Sequence, residues 1–350
     1  MADLARVIEG ILLGTAVGDA VGLPREGISR RRAARMFGGE VRHRFFFGRG
    51  MISDDTEHSF FVAQALLAHP DDAEAFARSL AWKLRGWLLL LPAGIGLATM
   101  RSCLKLLIGF PPEKSGVFSA GNGPAMRCAL LGAWFADDEN ACREYVRVAT
   151  RITHTDSKAL TGGLAVARCA GLVGKEPPAE SVFEMLSALD PDDAEWQEWI
   201  ARAEAALAGG ESVGGFANSL GLERGVSGYM YHTVPVAIYA WLRHRGDFRA
   251  TLEAVLLCGG DSDTVGAIAG ALAGAVTGAE GIPREWLEAI VDWPRSIALL
   301  REIANRLALQ KQAGRALGPV SYFWPGLLLR NPFFVLIVLL HCFRRLLPPY

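Results

Sequence analysis

The chain has 350 residues, with 36 Lys and Arg side chains against 37 Asp and Glu and a formal net charge of -1. That balance leaves no long-range positive field to gather nucleic acid or anionic lipid, which argues against a polyanion-binding protein. The length permits two average domains, but a helical enzyme of this size also folds around one core.

Leu4, Val7, Ile8, Ile11 and Leu12 recur at helical spacing and predict a first helix with one buried stripe. Glu9 and Asp19 interrupt its apolar stretch, and no small-residue cleavage site follows a basic segment, so no secretion signal is expected. Similar periodicity predicts helices over residues 57–69, 73–91, 125–136, 141–151, 157–173, 194–208, 233–243, 248–257, 264–277 and 284–308. A strand could come only from stretches such as 41–47, where Arg42, Arg44, Phe45 and Phe47 compete with alternation. The expected fold is all-α, a multi-helix bundle. Cys103, Cys128, Cys142, Cys169, Cys258 and Cys342 stand far apart, with no zinc-ligand spacing, as buried thiols of a reducing cytoplasm do. Gly14, Gly18 and Gly22, and again Gly266, Gly270 and Gly274, recur every fourth residue. They predict helix faces bare enough for another backbone to approach closely, at the centre of the bundle.

Two loops carry paired carboxylates, Ser53-Asp54-Asp55-Thr56-Glu57 and Gly259-Gly260-Asp261-Ser262-Asp263-Thr264, and each opens an apolar helix. One copy alone reads as a helix cap, with Glu57 three residues after Asp54 completing a capping box. Two copies ask for more, because caps need a single short polar residue and crowded carboxylates repel unless something positive stands between them. Carboxylate and hydroxyl oxygens favour Mg²⁺, Mn²⁺ or Ca²⁺ over zinc, and two loops supply enough of them for a pair of ions. The Gly121-Asn122-Gly123 loop lacks the lysine of a P-loop. Its backbone N–H groups, ahead of a helix starting near Pro124, can form an anion-binding nest or a plain turn. Asp156 is the expected cap of the helix after His154, and a lone histidine there is commonly structural.

In order, the segments Gly14-Thr-Ala-Val-Gly18-Asp19-Ala-Val-Gly22 with Glu26, Ser53 to Thr56, Gly121 to Arg127, Thr153 to Asp156, and Gly259 to Thr264 with Ala267 to Gly270 resemble those of ADP-ribosylglycohydrolases. The resemblance implies that family's helical fold with a binuclear Mg²⁺ or Mn²⁺ centre, held by Ser53, Asp54, Asp55, Asp261, Asp263 and Thr264. It implies catalytic roles for Glu26 and Asp261 and substrate contacts from Gly121, Asn122, Gly123 and His154. The implied reaction removes ADP-ribose from a modified protein or small molecule. The alternative is a non-catalytic ADP-ribose-binding or crystallin-like relative, although loss of function should erode the ligand positions first. Asp156-Ser157-Lys158 departs from the Asp-Pro-Arg common at this point, which bears on substrate choice. Arg127, readable as facing a phosphate and at least equally as an exposed helical arginine, stands outside the expected core site.

The resemblance covers residues 1–308 as one domain, and residues 309–350 form an apolar extension. Its run from Pro332 to Phe343 is shorter than the ~20 residues of a membrane span, and Pro325, Arg330 and Pro332 interrupt a longer one. A tail packed on the body or on an oligomer partner is expected, with an interfacial or re-entrant membrane segment as the alternative to a purely cytoplasmic protein.

Overall fold

In the computed structural model, which describes residues 2–172, 174–175 and 177–349, the first helix runs Ala2–Gly22. From Val7 to Val21 it is buried nearly all round, more deeply than a one-stripe helix requires. The segment Leu4–Arg25 is apolar and long enough to cross a membrane, but it is the core helix of this bundle.

Its partner is the helix Ser262–Thr277, buried from Ser262 to Ala275. The two run antiparallel in backbone contact. A Cβ built on Gly10, Gly14, Gly18 or Gly22 would lie 2.0, 2.1, 2.0 or 2.4 Å from the carbonyl oxygen of Gly274, Gly270, Gly266 or Ser262. The glycine stripes therefore serve the close packing expected of them, and the first also includes Gly10. Around this pair lie Asp54–Ala68, Ala129–Trp134, Ser157–Ala170, Met230–Arg243, Phe248–Leu256 and Ile297–Ala313.

Among the described residues the only sheet is the two-residue pair Ile28–Ser29 with Gly259–Gly260, antiparallel. The all-α expectation holds, and 41–47 forms no strand beyond an isolated bridge from Phe46 to Arg49. Several boundaries differ. The expected helix 125–136 is a 3-10 turn Ala125–Arg127 followed by Ala129–Trp134. The expected 284–308 is two helices, Arg284–Glu288 and Ile297–Ala313, interrupted where Asp292 and Arg295 turn inward to ion pairs. Helices Arg30–Phe37, Leu97–Leu107, Ala179–Ser187 and Val213–Ser219 were not expected. Of the cysteines, Cys342 alone is exposed.

The tail forms the helix Leu327–Arg345, continuous through Pro332, and one of its faces packs on the body. Phe334 and Ile337 bury themselves with Leu23, Phe45 and Met51. Arg330 Nη2 donates to Asp292 Oδ2 at 2.6 Å and also to Ile52 O.

Candidate active site

Three backbone features bring the paired acids together. The helices Asp54–Ala68 and Ser262–Thr277 both start at one end of the central pair, pointing N-termini that favour negative charge at the same place. Pairing of Ile28 with Gly260, and the 2.8 Å bond from Gly27 N to Gly260 O, set Glu26 beside Asp261. The loop before Met230 closes the third side, with Asp261 N donating to Val226 O and Asn122 N to Gly228 O.

The result is a cleft of about 650 Å³ whose walls include Glu26, Asp54, Asp261, Asp263, Thr264 and the loop 121–123, with His154 behind that loop. Ser53 and Asp55 lie one layer deeper, both buried. Thr264 Oγ1 donates to Asp55 Oδ2 at 3.3 Å, tying the two acidic loops to each other, and Ser53 Oγ donates to the same oxygen at 3.4 Å. Asn122 Nδ2 donates to Asp261 Oδ2 at 2.6 Å and to Thr233 Oγ1 at 2.9 Å.

These acids are not helix caps. Ser53 and Asp261 occupy the cap positions, and neither side chain accepts a cap hydrogen bond. Glu57 does not close a capping box: it takes Trp87 Nε1 at 2.5 Å on one oxygen and Arg295 on the other, a buried structural pair. By contrast, Asp156 does cap its helix, accepting from Lys158 N at 2.9 Å.

Burial raises the cluster's proton affinity. Asp54, Asp55 and Asp263 are pushed well above the usual carboxylate range, first by loss of water and then by neighbours: Asp19, Glu26 and Glu57 around Asp54, Asp54 and Asp19 around Asp55, Glu26 and Asp261 around Asp263. Glu26 is raised to about 7 by burial and by Asp261, against the opposing charge of Arg345. Oxygens of three acids, Asp19 Oδ1, Asp55 Oδ1 and Asp263 Oδ1, are buried without a hydrogen-bond partner. Such orphans are costly and ask for a cation. The donor set is wholly oxygen, which fits Mg²⁺ or Mn²⁺. Among the described residues no three His, Cys, Asp or Glu side chains already stand at metal-ligand spacing, so the fit rests on the orphaned oxygens and on donor chemistry.

Asp19 was missing from the expected site. It is fully buried, its Oδ2 accepts from Ser53 N at 2.8 Å and Thr56 N at 3.2 Å as well as from the Thr56 hydroxyl, and burial raises it to about 6. The signal was present in the sequence, since Asp19 is the one charged residue from Gly10 to Gly22 and a carboxylate there has no packing purpose. Arg127 is not an exposed helical arginine. It is buried, donating to Ala149 O at 2.9 Å and Thr153 Oγ1 at 2.6 Å, and it meets His58 Nδ1 at 2.9 Å. Thr153 Oγ1 in turn lies 2.9 Å from His154 Nδ1, so Arg127 fixes the His154 ring through one hydroxyl. Burial and Arg127 lower His154 to about 3, which keeps it neutral.

Of the nest and the plain turn open to the Gly121 to Gly123 loop, the hydrogen bonds of its first two N–H groups favour the turn. Gly121 N donates to Ser119 Oγ and Asn122 N to Gly228 O, so those groups are occupied. Its glycines instead let backbone run over the imidazole: a Cβ at Gly121 would lie 3.0 Å from His154 Nε2.

Residues 1–316, which include every one of these groups except Arg345, match the ADP-ribosylglycohydrolase family. The chain belongs to that family. Among its relatives is a protein of Archaeoglobus fulgidus described as uncharacterized, 32% identical over 85% of this chain and 94% of its own length. The ADP-ribosyl-[dinitrogen reductase] glycohydrolase of Rhodospirillum rubrum is 27% identical over 86% of this chain and 95% of its own. ADP-ribosylhydrolase ARH3 of Gallus gallus is 26% identical over 79% and 87%. A solved structure described as an ADP-ribosylglycohydrolase-related protein complex superposes with a TM-score of 0.66 at 26% identity, covering 88% of this chain and 98% of that one. The ADP-ribosylglycohydrolase match stops before the helix Leu327–Arg345.

Proposed function

We propose that the cleft hydrolyses the bond at the anomeric carbon of an ADP-ribosyl group with two divalent cations, Mg²⁺ or Mn²⁺. Ser53, Asp54, Asp55, Asp261, Asp263 and Thr264 would hold them. The observation that carries the reading is the set of buried, partnerless carboxylate oxygens in the wall of, and just beneath, a cleft of a size suited to a nucleotide sugar.

Cleavage at that carbon passes through an oxocarbenium-like state with positive charge on the ribose. Asp54, Asp261 and Glu26 line the cleft and favour charge of that sign. When bound, the cations supply Lewis acidity toward a water molecule and orient the ribose hydroxyls. Glu26, raised to about 7 in the cation-free cleft, lines the wall beside Asp261 and is the carboxyl placed to take the proton of the attacking water. Asn122 fixes Asp261, and neutral His154 gives the cleft wall a hydrogen-bonding group without adding charge.

Full-length protein assayed for free ADP-ribose, on substrates linked through arginine, serine, an acetyl ester or a nucleic-acid base, tests this reading. Release from one or more linkages is expected with Mg²⁺ or Mn²⁺. Chelator should stop it, and Asp261→Ala should lower it by roughly 100-fold or more. No release from any linkage, or undiminished release in chelator, would overturn the proposal.

A further inference from the structure

The C-terminal helix has a fastened face and a bare one. On the fastened face stand the Arg330 pair with Asp292, Asn331 Nδ2 donating to Leu90 O at 2.8 Å, and His341 Nε2 at 2.8 Å from Phe45 O. On the bare face Leu329, Phe333, Leu336, Leu340 and Phe343 follow at spacings of four, three, four and three, one continuous helical stripe. Each is between 42% and 75% exposed. Phe47, 94% exposed, extends the stripe sideways, because its neighbour Phe46 packs on Phe333 at 5.2 Å. At the start of the helix the exposed rings of Trp293, Phe323 and Trp324 continue it. A contiguous apolar surface of this kind marks a contact site.

Charge decides what covers it. Beyond Glu302 the chain has no carboxylate side chain; Arg330 is paired with Asp292, Arg306 and Lys311 are bonded to backbone carbonyls, and Arg344 and Arg345 stand at the end of the bare face. Arg344 is exposed and bonds Pro348 O of its own tail at 2.9 Å. The adjoining helix Arg30–Phe37 is rich in arginine and is tied to the tail where Arg32 Nε donates to Pro349 O at 3.2 Å. A second copy seated on this face would bring no acidic side chain from its own tail to these arginines, whereas lipid phosphates would bring negative charge. Leucine, phenylalanine and tryptophan on one face, with arginines beside it, are what a helix lying among headgroups presents. The near-zero net charge of the whole chain conceals this local concentration.

We propose that the bare face of Leu327–Arg345 seats the protein on an anionic lipid surface, with the helix in the plane of the headgroups. The helix does not cross the bilayer, although Trp324–Arg345 is long and apolar enough to do so, because crossing would strip Arg330 from its buried partner Asp292. Arg345 stands beside Gly27 on the cleft rim, so the seated face and the cleft mouth are neighbours. The proposal holds whatever reaction the cleft performs.

Flotation of the full-length protein with vesicles of phosphatidylcholine, alone or mixed with phosphatidylglycerol, tests it. On the order of tenfold more protein should float with the mixed vesicles, and added salt should reduce that excess. Alkaline carbonate should release the bound protein. The combined variant Leu329→Glu, Phe333→Glu and Leu340→Glu should lose flotation while keeping the parent's unfolding midpoint. Failure to float with either vesicle, equal binding to both, or resistance to carbonate would overturn the proposal. So would a dimer in solution that the same variant dissociates while the parent ignores vesicles.

Discussion

Raising the pH of the cation-free protein above neutrality should destabilise it, and Mn²⁺ should reverse the loss. Asp54, Asp55 and Asp263 take up protons well above their ordinary 3.8, because each is buried among other carboxylates. A carboxyl raised in this way binds its proton more tightly folded than unfolded, so stability is full below the unfolded value and falls as pH climbs toward the folded one. Buried His58 and His154 act in the opposite sense, but their penalty develops only below the ordinary histidine value of 6.5. The window above 6.5 therefore excludes the histidines, and its upper end stays below the ordinary thiol value of 9.0, beyond which the buried cysteines would add a loss of the same sign. Each carboxyl still protonated there costs about 1.4 kcal/mol per pH unit. A single such group over two units costs about 3 kcal/mol, which is about 4 °C for a 350-residue chain at ~2.1 cal/mol/K of unfolding entropy per residue. Thermal melts from about pH 6.5 to about pH 8.5, in chelator and then in Mn²⁺, read the effect. The midpoint should fall by several degrees in chelator, and the gain from Mn²⁺ should grow with pH because the ion competes with protons. A flat or rising midpoint in chelator, or a Mn²⁺ gain independent of pH, would refute the reasoning.

Gly14→Ala should destabilise by roughly 3 kcal/mol or more, since its Cβ would meet the backbone oxygen of Gly270 at 2.1 Å, whereas Gly86→Ala, with open space around it, should stabilise by about 0.5–1 kcal/mol. Denaturant titration of both variants checks the contrast. Arg127→Met leaves Thr153 Oγ1 and Ala149 O without their buried donor and should cost about 3 kcal/mol, read as a lowered unfolding midpoint. Asn122→Ala frees Asp261 of its 2.6 Å partner and should weaken Mn²⁺ binding on the order of 10- to 100-fold in a direct titration, with little change in the melting of the cation-free protein.

The acidic loops were legible because their chemistry is local: adjacent carboxylates ahead of apolar helices contradict simple capping, and the structure confirms that Ser53 and Asp261 make no cap bond. Glu57 was misread for the same local reason, since its partners Trp87 and Arg295 lie 30 and 238 positions away. Arg127 was illegible on similar grounds: a buried arginine is identified by a carbonyl, a hydroxyl and an imidazole on other elements, and periodicity alone assigns it to a surface. Helix Val213–Ser219 is short and follows Ser212, and Leu97–Leu107 follows Gly94 and Gly96, so both are bounded by residues that read as loop. The tail was legible as apolar but not as two-faced, because only Asp292, Leu90 and Phe45 define which of its sides is covered.

The glycine stripe and the acidic cluster are one device. At Gly22 the two central helices are so close that a Cβ would lie 2.7 Å from the Cα of Asp263, and Asp19 sits one turn earlier on the same helix. Any larger side chain along the stripe would part the helices and with them the acids. Backbone contact therefore fixes how tightly the negative charges are pressed together, and that crowding creates the demand for a counter-ion. A protein that needed only a packed core could relieve the repulsion by exchanging one acid for its amide. This chain keeps Asp19, Asp54, Asp55, Asp261 and Asp263 and places its nearest hydrogen-bonding amide, Asn122, as a donor to one of them.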